Sequence, residues 1–498
     1  MYKFTRNTKI ICISLIMIGL FSIGYGFFST PKYSDSEIHD KVVKLSSELK
    51  SDKTKYSDKD THQSHYGGDG SKFSDLFHVI EKEFHCHFSE EEIKNAKHID
   101  DVIYTTQHYF HALKQRPWSS LMVSNLFFFM IALGALIWLA IQYISKSGWS
   151  ASLLRVPQAI TAFLPYGAAI MLFIIITGAL HWHHTYHWMD EALIHEFVYE
   201  DSVDSDHPKY TNEDKEGVVL NPDYDYIIAG KTPYLNIPFF LLRSIIYILG
   251  WCLAAFLLRK YSLREDKEGG VKWYKKMFTV SVIFIVFAAV TTSTGAWDWI
   301  MSIDTHWFST LFGWYSFASF FVTAAAVIAI LTIHLKYRGY LPGVNENHMH
   351  DFGRYLLSFS IFWTYLWFAQ YLLIWYANIP EEVTYFQIRF DYYHIFIIMA
   401  LILNFVNPML LIQDRDAKRL KGQVLFVAIL ICVGHYFDTY QMIMPGTVGT
   451  HWHFGFIEIG TFLGYLGFFT FIVLKSLSSV PLEQKNHPML IESKHHHI

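Results

Sequence analysis

Apolar residues fill this chain in long runs, and the polar residues inside those runs gather toward one end of each. A bilayer is crossed by about 20 apolar residues. That criterion predicts ten spanning helices, at 8–28, 121–144, 159–181, 236–258, 277–299, 311–334, 353–377, 391–412, 423–443 and 453–475. The expected fold class is an all-α polytopic membrane protein. At one edge of these spans lie Asp298, Asp304, His306, Gln370, Asp391, His394, His435, Asp438, His451, His453 and Glu458. Ionisable groups are costly in hydrocarbon and mark ion, proton or redox pathways.

The opposite edge carries the positive charge: Lys146 and Arg155, the stretch from Arg259 to Lys276, Lys336, Arg338 and Arg354, then Arg415, Lys418, Arg419 and Lys421. The short loops at the polar edge, 300–310, 378–390 and 444–452, hold only Arg389. Because cytoplasmic loops retain Lys and Arg, both termini are expected in the cytoplasm and the polar edge outside. Lys3, Arg6 and Lys9 would also suit the basic start of a signal peptide. The long apolar stretch, with no A-x-A-like site after it, favours a retained helix.

Two segments are expected outside. Residues 29–120 begin as a Ser/Asp/Lys-rich tether, 33–75, expected to be mobile. Helical periodicity follows from Phe73 to Leu113, with Leu76, Phe77, Ile80 and Phe84 on one face. Residues 182–235 hold twelve acidic residues against three lysines, a net charge of −9. This is either a solvated loop or a surface that steers a basic, cytochrome-like partner.

Composition narrows the class further. At 52% hydrophobic, 18% aromatic and 17% charged, the chain is unlike an average soluble domain. A net charge of −4 without a basic tract gives no reason to expect nucleic-acid binding. Of the four cysteines, Cys12, Cys252 and Cys432 fall inside apolar spans and Cys86 does not. No C-x-x-C-H attaches a c-type haem, and no cysteine spacing suggests zinc or iron–sulfur ligation. A bis-histidine haem is also not expected, since His435 alone lies deep.

The ninth span places His435, Asp438 and Gln441 three residues apart, along one helical face. At about 1.5 Å per residue, His435 lies about 12 Å and Asp438 about 8 Å inside the boundary. Such a pair either relays protons or glues helices together as a hydrogen-bonded unit. Asp298, Asp304 and His306 are woven among tryptophans at the end of the fifth span. They read equally as proton acceptors, partners for a quinol headgroup, or surface caps. Gln370 lies in the seventh span, which Pro380 is expected to stop; Glu381 and Glu382 open the loop beyond. With Asp391, His394 and Glu458, these residues could line a wet passage to the outer surface. His181, His183, His184 and His187 form a histidine cluster; His181 and His184 are weak metal candidates, and no carboxylate or cysteine motif supports them.

Three strings carry a resemblance: Gly295-Ala296-Trp297-Asp298-Trp299-Ile300-Met301-Ser302-Ile303-Asp304, Trp375-Tyr376-Ala377-Asn378-Ile379-Pro380-Glu381-Glu382 and Gly434-His435-Tyr436-Phe437-Asp438-Thr439-Tyr440. From about residue 121 onward the chain resembles the large F-type membrane subunit of alternative complex III, a bacterial quinol:cytochrome c (or quinol:oxidase) oxidoreductase. That subunit is NrfD-like, related to polysulfide-reductase membrane subunits. The resemblance implies two four-helix bundles, spans two to five and six to nine, with peripheral first and last helices. The organisation is then 1–28, a transmembrane helix; 29–120, the outer tether and amphipathic segment; 121–300, the first bundle with its acidic loop; 301–445, the second bundle; and 446–498, the last helix and a cytoplasmic tail. The resemblance also implies the bacterial inner membrane and no covalently bound cofactor in this chain. Haem c and iron–sulfur clusters would reside in partners: a multihaem cytochrome c, an iron–sulfur protein and a C-type sister membrane subunit. That sister is expected to hold the quinol site, so quinone or menaquinone binding here is less supported. A terminal oxidase and lipids are further expected partners.

Two alternatives remain: a scaffold subunit of the same complex, or a secondary transporter. A transporter needs broken helices at corresponding places in two halves. Pro408, after Asn404 and Asn407, supplies one such break, and no clear counterpart stands in the first half.

Overall fold

The computed structural model describes residues 1–30, 33–51, 73–84, 86–199 and 217–497. Ten of its helices are long and apolar enough to span a membrane. They are α1 (Arg6–Ser29), α2 (Ile99–Ile144), α3 (Arg155–Ala179), α4 (Ile237–Glu268), α5 (Val271–Ile303), α6 (Leu311–Tyr337), α7 (Glu346–Ala377), α8 (His394–Leu411), α9 (Lys421–Val448) and α10 (Phe456–Ser478). The only strands among the described residues are Phe197–Tyr199 and Val218–Leu220, paired antiparallel with Val198 opposite Val219. The protein is an all-α polytopic membrane protein.

The chain divides into two compact units, Gly26–Pro117 and the remainder. The smaller has its own core, in which Ile38 and Val42 pack with Leu76, Phe77, Ile80 and Phe84. The expected amphipathic face is there, on the helix Ser74–Phe84. Part of the expected tether is also helical, Asp35–Ser51, because Ile38, Val42 and Leu45 recur at helical spacing and are buried. Residues 52–72 of that tether lie outside the described residues, as do residues 200–216 of the acidic loop.

In the larger unit, α4 packs on α3 and α5, while α6 packs on α7 and α9 and α8 on α9. α5 meets α6 across the seam between the two bundles. α2 joins the first bundle through Asn125, whose Nδ2 donates to the Gly167 carbonyl at 3.1 Å, and through Phe129 against Trp251. It also reaches α9, where Phe127 lies edge-on to Tyr436 at 5.5 Å. The outward faces of α4 and α5 expose Leu242, Ile246, Leu249 and Leu253, then Ile283, Val286 and Val290, as helices facing lipid require.

α1 and α10 pair at the periphery. Gly19 on α1 and Gly464 on α10 leave no room for a Cβ on either. Gly460 meets Ser22 and Gly467 meets Leu15 on the same face. Small residues at this spacing let two membrane helices approach backbone to backbone.

Two local details differ from the sequence reading. α7 ends at Ala377 on left-handed Asn378 (φ 46°), and Pro380 then opens a further helix, Pro380–Tyr392. Proline tolerates the first helical turn, where its missing N–H is not needed. The break expected at Pro408 takes the form of a π-helical turn, Ile402–Val406. Its counterpart, the third helix of the first bundle, is the unbroken α4, so the bundles do not share a broken helix.

Candidate functional site

Asp438 lies at the axis of the second bundle with no exposed surface. Its Oδ1 accepts from the Tyr315 hydroxyl in a short bond and from Gln441 Nε2 at 3.2 Å. Its Oδ2 accepts from Ser319 Oγ at 2.9 Å and Trp363 Nε1 at 3.0 Å, with His435 Nδ1 at 3.4 Å. These donors come from three helices: Tyr315 and Ser319 on α6, Trp363 on α7, His435 and Gln441 on α9. Among the described residues no lysine or arginine pairs with Asp438; its one ion-pair partner is His435. Burying a carboxylate is costly unless its lone pairs are satisfied, and here neutral side chains satisfy them.

The same cluster forms a chain of hydrogen bonds. Ser319 Oγ lies 3.0 Å from His435 Nδ1 and donates its single proton to Asp438. Nδ1 is then the donor to Ser319, so hydrogen bonds run from His435 through Ser319 to Asp438. The imidazole meets Trp363 edge-on at 5.2 Å, and its buried Nε2 has no partner among the described residues.

Ser319 also opens onto a narrow cavity of about 30 Å³ between the bundles. Phe127, Thr292, Ser316, Thr323 and Thr439 line it as well. Such a volume holds about two waters. Ser316 Oγ is buried there without a hydrogen-bond partner among the described residues, as expected of a group that a water would satisfy.

Asp298 is the corresponding carboxylate of the first bundle, on its fourth helix as Asp438 is on that of the second. Arg243 of α4 grips it with two parallel bonds, at 2.9 and 2.8 Å, and Tyr247 adds a third at 3.1 Å. The guanidinium also donates to the Tyr234 carbonyl and stacks on Tyr234 and Phe239. Asp298 therefore carries a fixed counter-charge.

The remaining sequence candidates occupy separate places. Asp304 lies 3.4 Å from Arg389, which is almost fully buried, donates to the Gln441 and Tyr385 carbonyls, and stacks on Tyr385. His306 pairs with Asp225 at 2.5 Å. Asp225 also caps the helix Tyr226–Lys231, and the Ile227 and Ile228 amides and His306 hold its carboxyl below the usual range despite partial burial. Glu458 is buried at the start of α10, accepting from the Gly455 amide at 2.8 Å and from Ser120 Oγ at 3.2 Å. Gln370 is buried on α7, whereas Asp391 and His394 are exposed. The structure thus gathers His435, Asp438 and Gln441 into one cluster and leaves the others apart.

Among the histidines at 181–187 only His183 is buried, and the His181 and His184 rings lie 6.3 Å apart. Among the described residues no group of three or more His, Cys, Asp or Glu side chains could hold a metal. His183 Nε2 lies 3.0 Å from the Ile174 carbonyl and its Nδ1 accepts from the Thr185 amide. Burial lowers its pKa to about 4, so it is a neutral packing residue.

A groove of about 340 Å³ lies at the end of α5, with Tyr234, Trp297, Trp307 and Phe308 in its wall. The surface suits an aromatic ring; its Lys231, Ser302 and Thr305 groups are committed, while the buried Trp297 and Trp307 Nε1 donors have no hydrogen-bond partner among the described residues. Lys231 donates to the Thr305 carbonyl, Ser302 to that of Asp298 and Thr305 to that of Ser302.

The sequence reading missed Arg243, Tyr315, Ser319 and Trp363. Arg243 carried a usable signal, being a guanidinium inside an apolar span that needs a partner. Hydroxyls and an indole inside spans carry none, because such residues are common there. No protein-family model matches the chain, and no curated protein matches it significantly.

Proposed function

We propose that this chain is an integral membrane subunit of a respiratory quinol:cytochrome c, or quinol:oxidase, oxidoreductase of the alternative complex III type. It sits in the bacterial inner membrane with both termini cytoplasmic and segments 29–120 and 182–235 periplasmic. Its haem c and iron–sulfur centres belong to partner subunits, and quinol is oxidised beside the C-type sister. The chain supports that reaction and provides a proton path toward the periplasmic side.

The observation that carries the proton role is Asp438, a buried carboxylate held by Tyr315, Ser319, Trp363 and Gln441 and, among the described residues, in ion-pair contact with no arginine or lysine. Its four bonded donors are neutral side chains, so a hydrogen-bonded carboxyl and not a salt bridge stands at the end of the chain from His435. A proton arriving at His435 passes through the Ser319 hydroxyl to Oδ2, while Tyr315 and Gln441 hold Oδ1. The three resemblance strings support the assignment to the complex.

A scaffold role in the same complex is the second reading. It is favoured by the commitment of Asp298 to Arg243, of Asp304 to Arg389 and of Glu458 to a helix start.

The test is gentle solubilisation of native membranes and capture on a tag at the C-terminus, followed by staining for covalent haem. The proposal expects multihaem cytochrome and iron–sulfur partners to co-purify. A stable preparation free of haem and partners would overturn it.

A further inference from the structure

At the basic edge, the start of α3 and the last turns of α4 enclose a groove of about 710 Å³. Its floor is apolar: Ala162 and Pro165 on one side, Ala255 and Phe256 on the other. Two alanines and a proline leave a recess at a face where the same helix, one and two turns deeper, exposes Leu249 and Leu253.

Four cations rim the groove, namely Arg259, Lys260, Arg264 and Lys267. Exposed Phe256, Lys260, Arg264 and Lys267 recur at helical spacing, so they form one stripe running out of the apolar region. Lys260 lies over the Phe256 ring at 5.4 Å, and Arg264 over Trp273 at 5.0 Å. Arg259 is held by the Gln158 and Ser476 carbonyls and by Ser479 Oγ.

Nearby carboxylates form no ion pair with this rim. Asp266 is taken by Arg155 at 2.5 Å. Glu268 is exposed and keeps its charge, but it bonds Trp273 Nε1 at 2.7 Å and none of the four cations, and Glu265 is fully buried. Among the described residues none of the four cations has an ion-pair partner. A recess that is apolar below and net positive above matches a molecule with acyl chains and a phosphate headgroup.

We propose that this groove is a binding site for an anionic phospholipid, with the headgroup phosphate on Lys260, Arg264 and Lys267 and an acyl chain laid along Ala162, Pro165, Ala255 and Phe256. The inference rests only on the chain spanning a membrane and not on its redox assignment.

The test measures phospholipid retained by the intact purified protein, by native mass spectrometry after exchange into micelles doped with cardiolipin, phosphatidylglycerol or phosphatidylcholine. The site predicts retention of the two anionic lipids over phosphatidylcholine. The Lys260→Gln/Arg264→Gln/Lys267→Gln variant should retain at least about tenfold less, while Lys272→Gln/Lys275→Gln, at the same edge, retains the wild-type amount. Ala255→Phe, which fills the floor, should also reduce retention. Equal retention of phosphatidylcholine would overturn the proposal, as would unchanged binding in the triple variant or equal loss in the control. Displacement by millimolar inorganic phosphate, with Ala255→Phe silent, would reassign the rim to a free anion.

Discussion

Arg243 and Asp298 form a buried, two-pronged ion pair, with Nε–Oδ2 at 2.9 Å and Nη2–Oδ1 at 2.8 Å. It ties the C-terminal end of α5 to the beginning of α4 and commits the first bundle's carboxylate to a fixed guanidinium. Breaking one partner of such a pair leaves an uncompensated buried charge, at a cost of about 3–5 kcal/mol. Arg243→Gln should therefore lower the thermal stability of the detergent-solubilised protein strongly. Arg243→Met/Asp298→Leu, which removes both charges, should recover much of the loss. A single variant as stable as wild type would show that the pair is not structural.

Asp438 has no such cation, and its ligands are individually replaceable. Ser319→Ala removes one hydrogen bond to the carboxylate, worth about 1.5–3 kcal/mol if Asp438 is ionised, and cuts the link to His435. The expected outcome is an assembled complex with slowed proton release. Tyr315→Phe should leave the His435–Ser319–Asp438 chain intact and slow release less. Rates of proton release by the two assembled complexes, measured with a pH indicator dye, decide between them.

His183 gives the protein an acid sensitivity of definite sign. Burial holds it near 4 in the folded chain, against an ordinary value of 6.5. Between those values only the unfolded chain takes up the proton, so stability is full above the upper value and declines as pH falls through the window. Acidification to about pH 5 removes roughly 2 kcal/mol through this group. His487, lowered to about 4 by burial in the C-terminal tail, acts in the same direction. In His183→Gln the difference in Tm between about pH 7.5 and about pH 5 should shrink.

Gly464 and Gly19 lie in backbone contact, with no space for a side chain on either. Gly464→Val forces α1 away from α10, an overpacking cost of about 1–3 kcal/mol. The expected readout is faster proteolysis near the N-terminus, with the bundles still resistant. Equal resistance throughout would mean that α1 is not held by this contact.

The spans were legible because burial in lipid leaves a one-dimensional record: about 20 apolar residues in a row, whatever their neighbours. His435, Asp438 and Gln441 were legible as a set for a related reason, since a three-residue step puts all of them on one helical face. Their surroundings were not. Tyr315, Ser319 and Trp363 reach Asp438 from helices distant in sequence, and nothing local distinguishes them from ordinary hydroxyls and aromatics of a membrane interior. Asp298 and Asp438 looked alike in sequence, and only the position of Arg243 across the bundle separates a charge-paired carboxylate from one held by neutral donors. The helix Asp35–Ser51 was obscured by its polar composition, although Ile38, Val42 and Leu45 keep the helical period.

The central claim is that Asp438 carries protons during quinol oxidation. The most direct measurement is proton release per quinol oxidised by the intact complex bearing Asp438→Asn, with assembly checked by haem content. The carboxamide keeps the size of the side chain and has no group that gains or loses a proton near neutral pH. The account predicts an assembled complex in which turnover or proton release is lowered. Normal turnover with unchanged proton release in the assembled variant would contradict it and leave the cluster as a structural clasp.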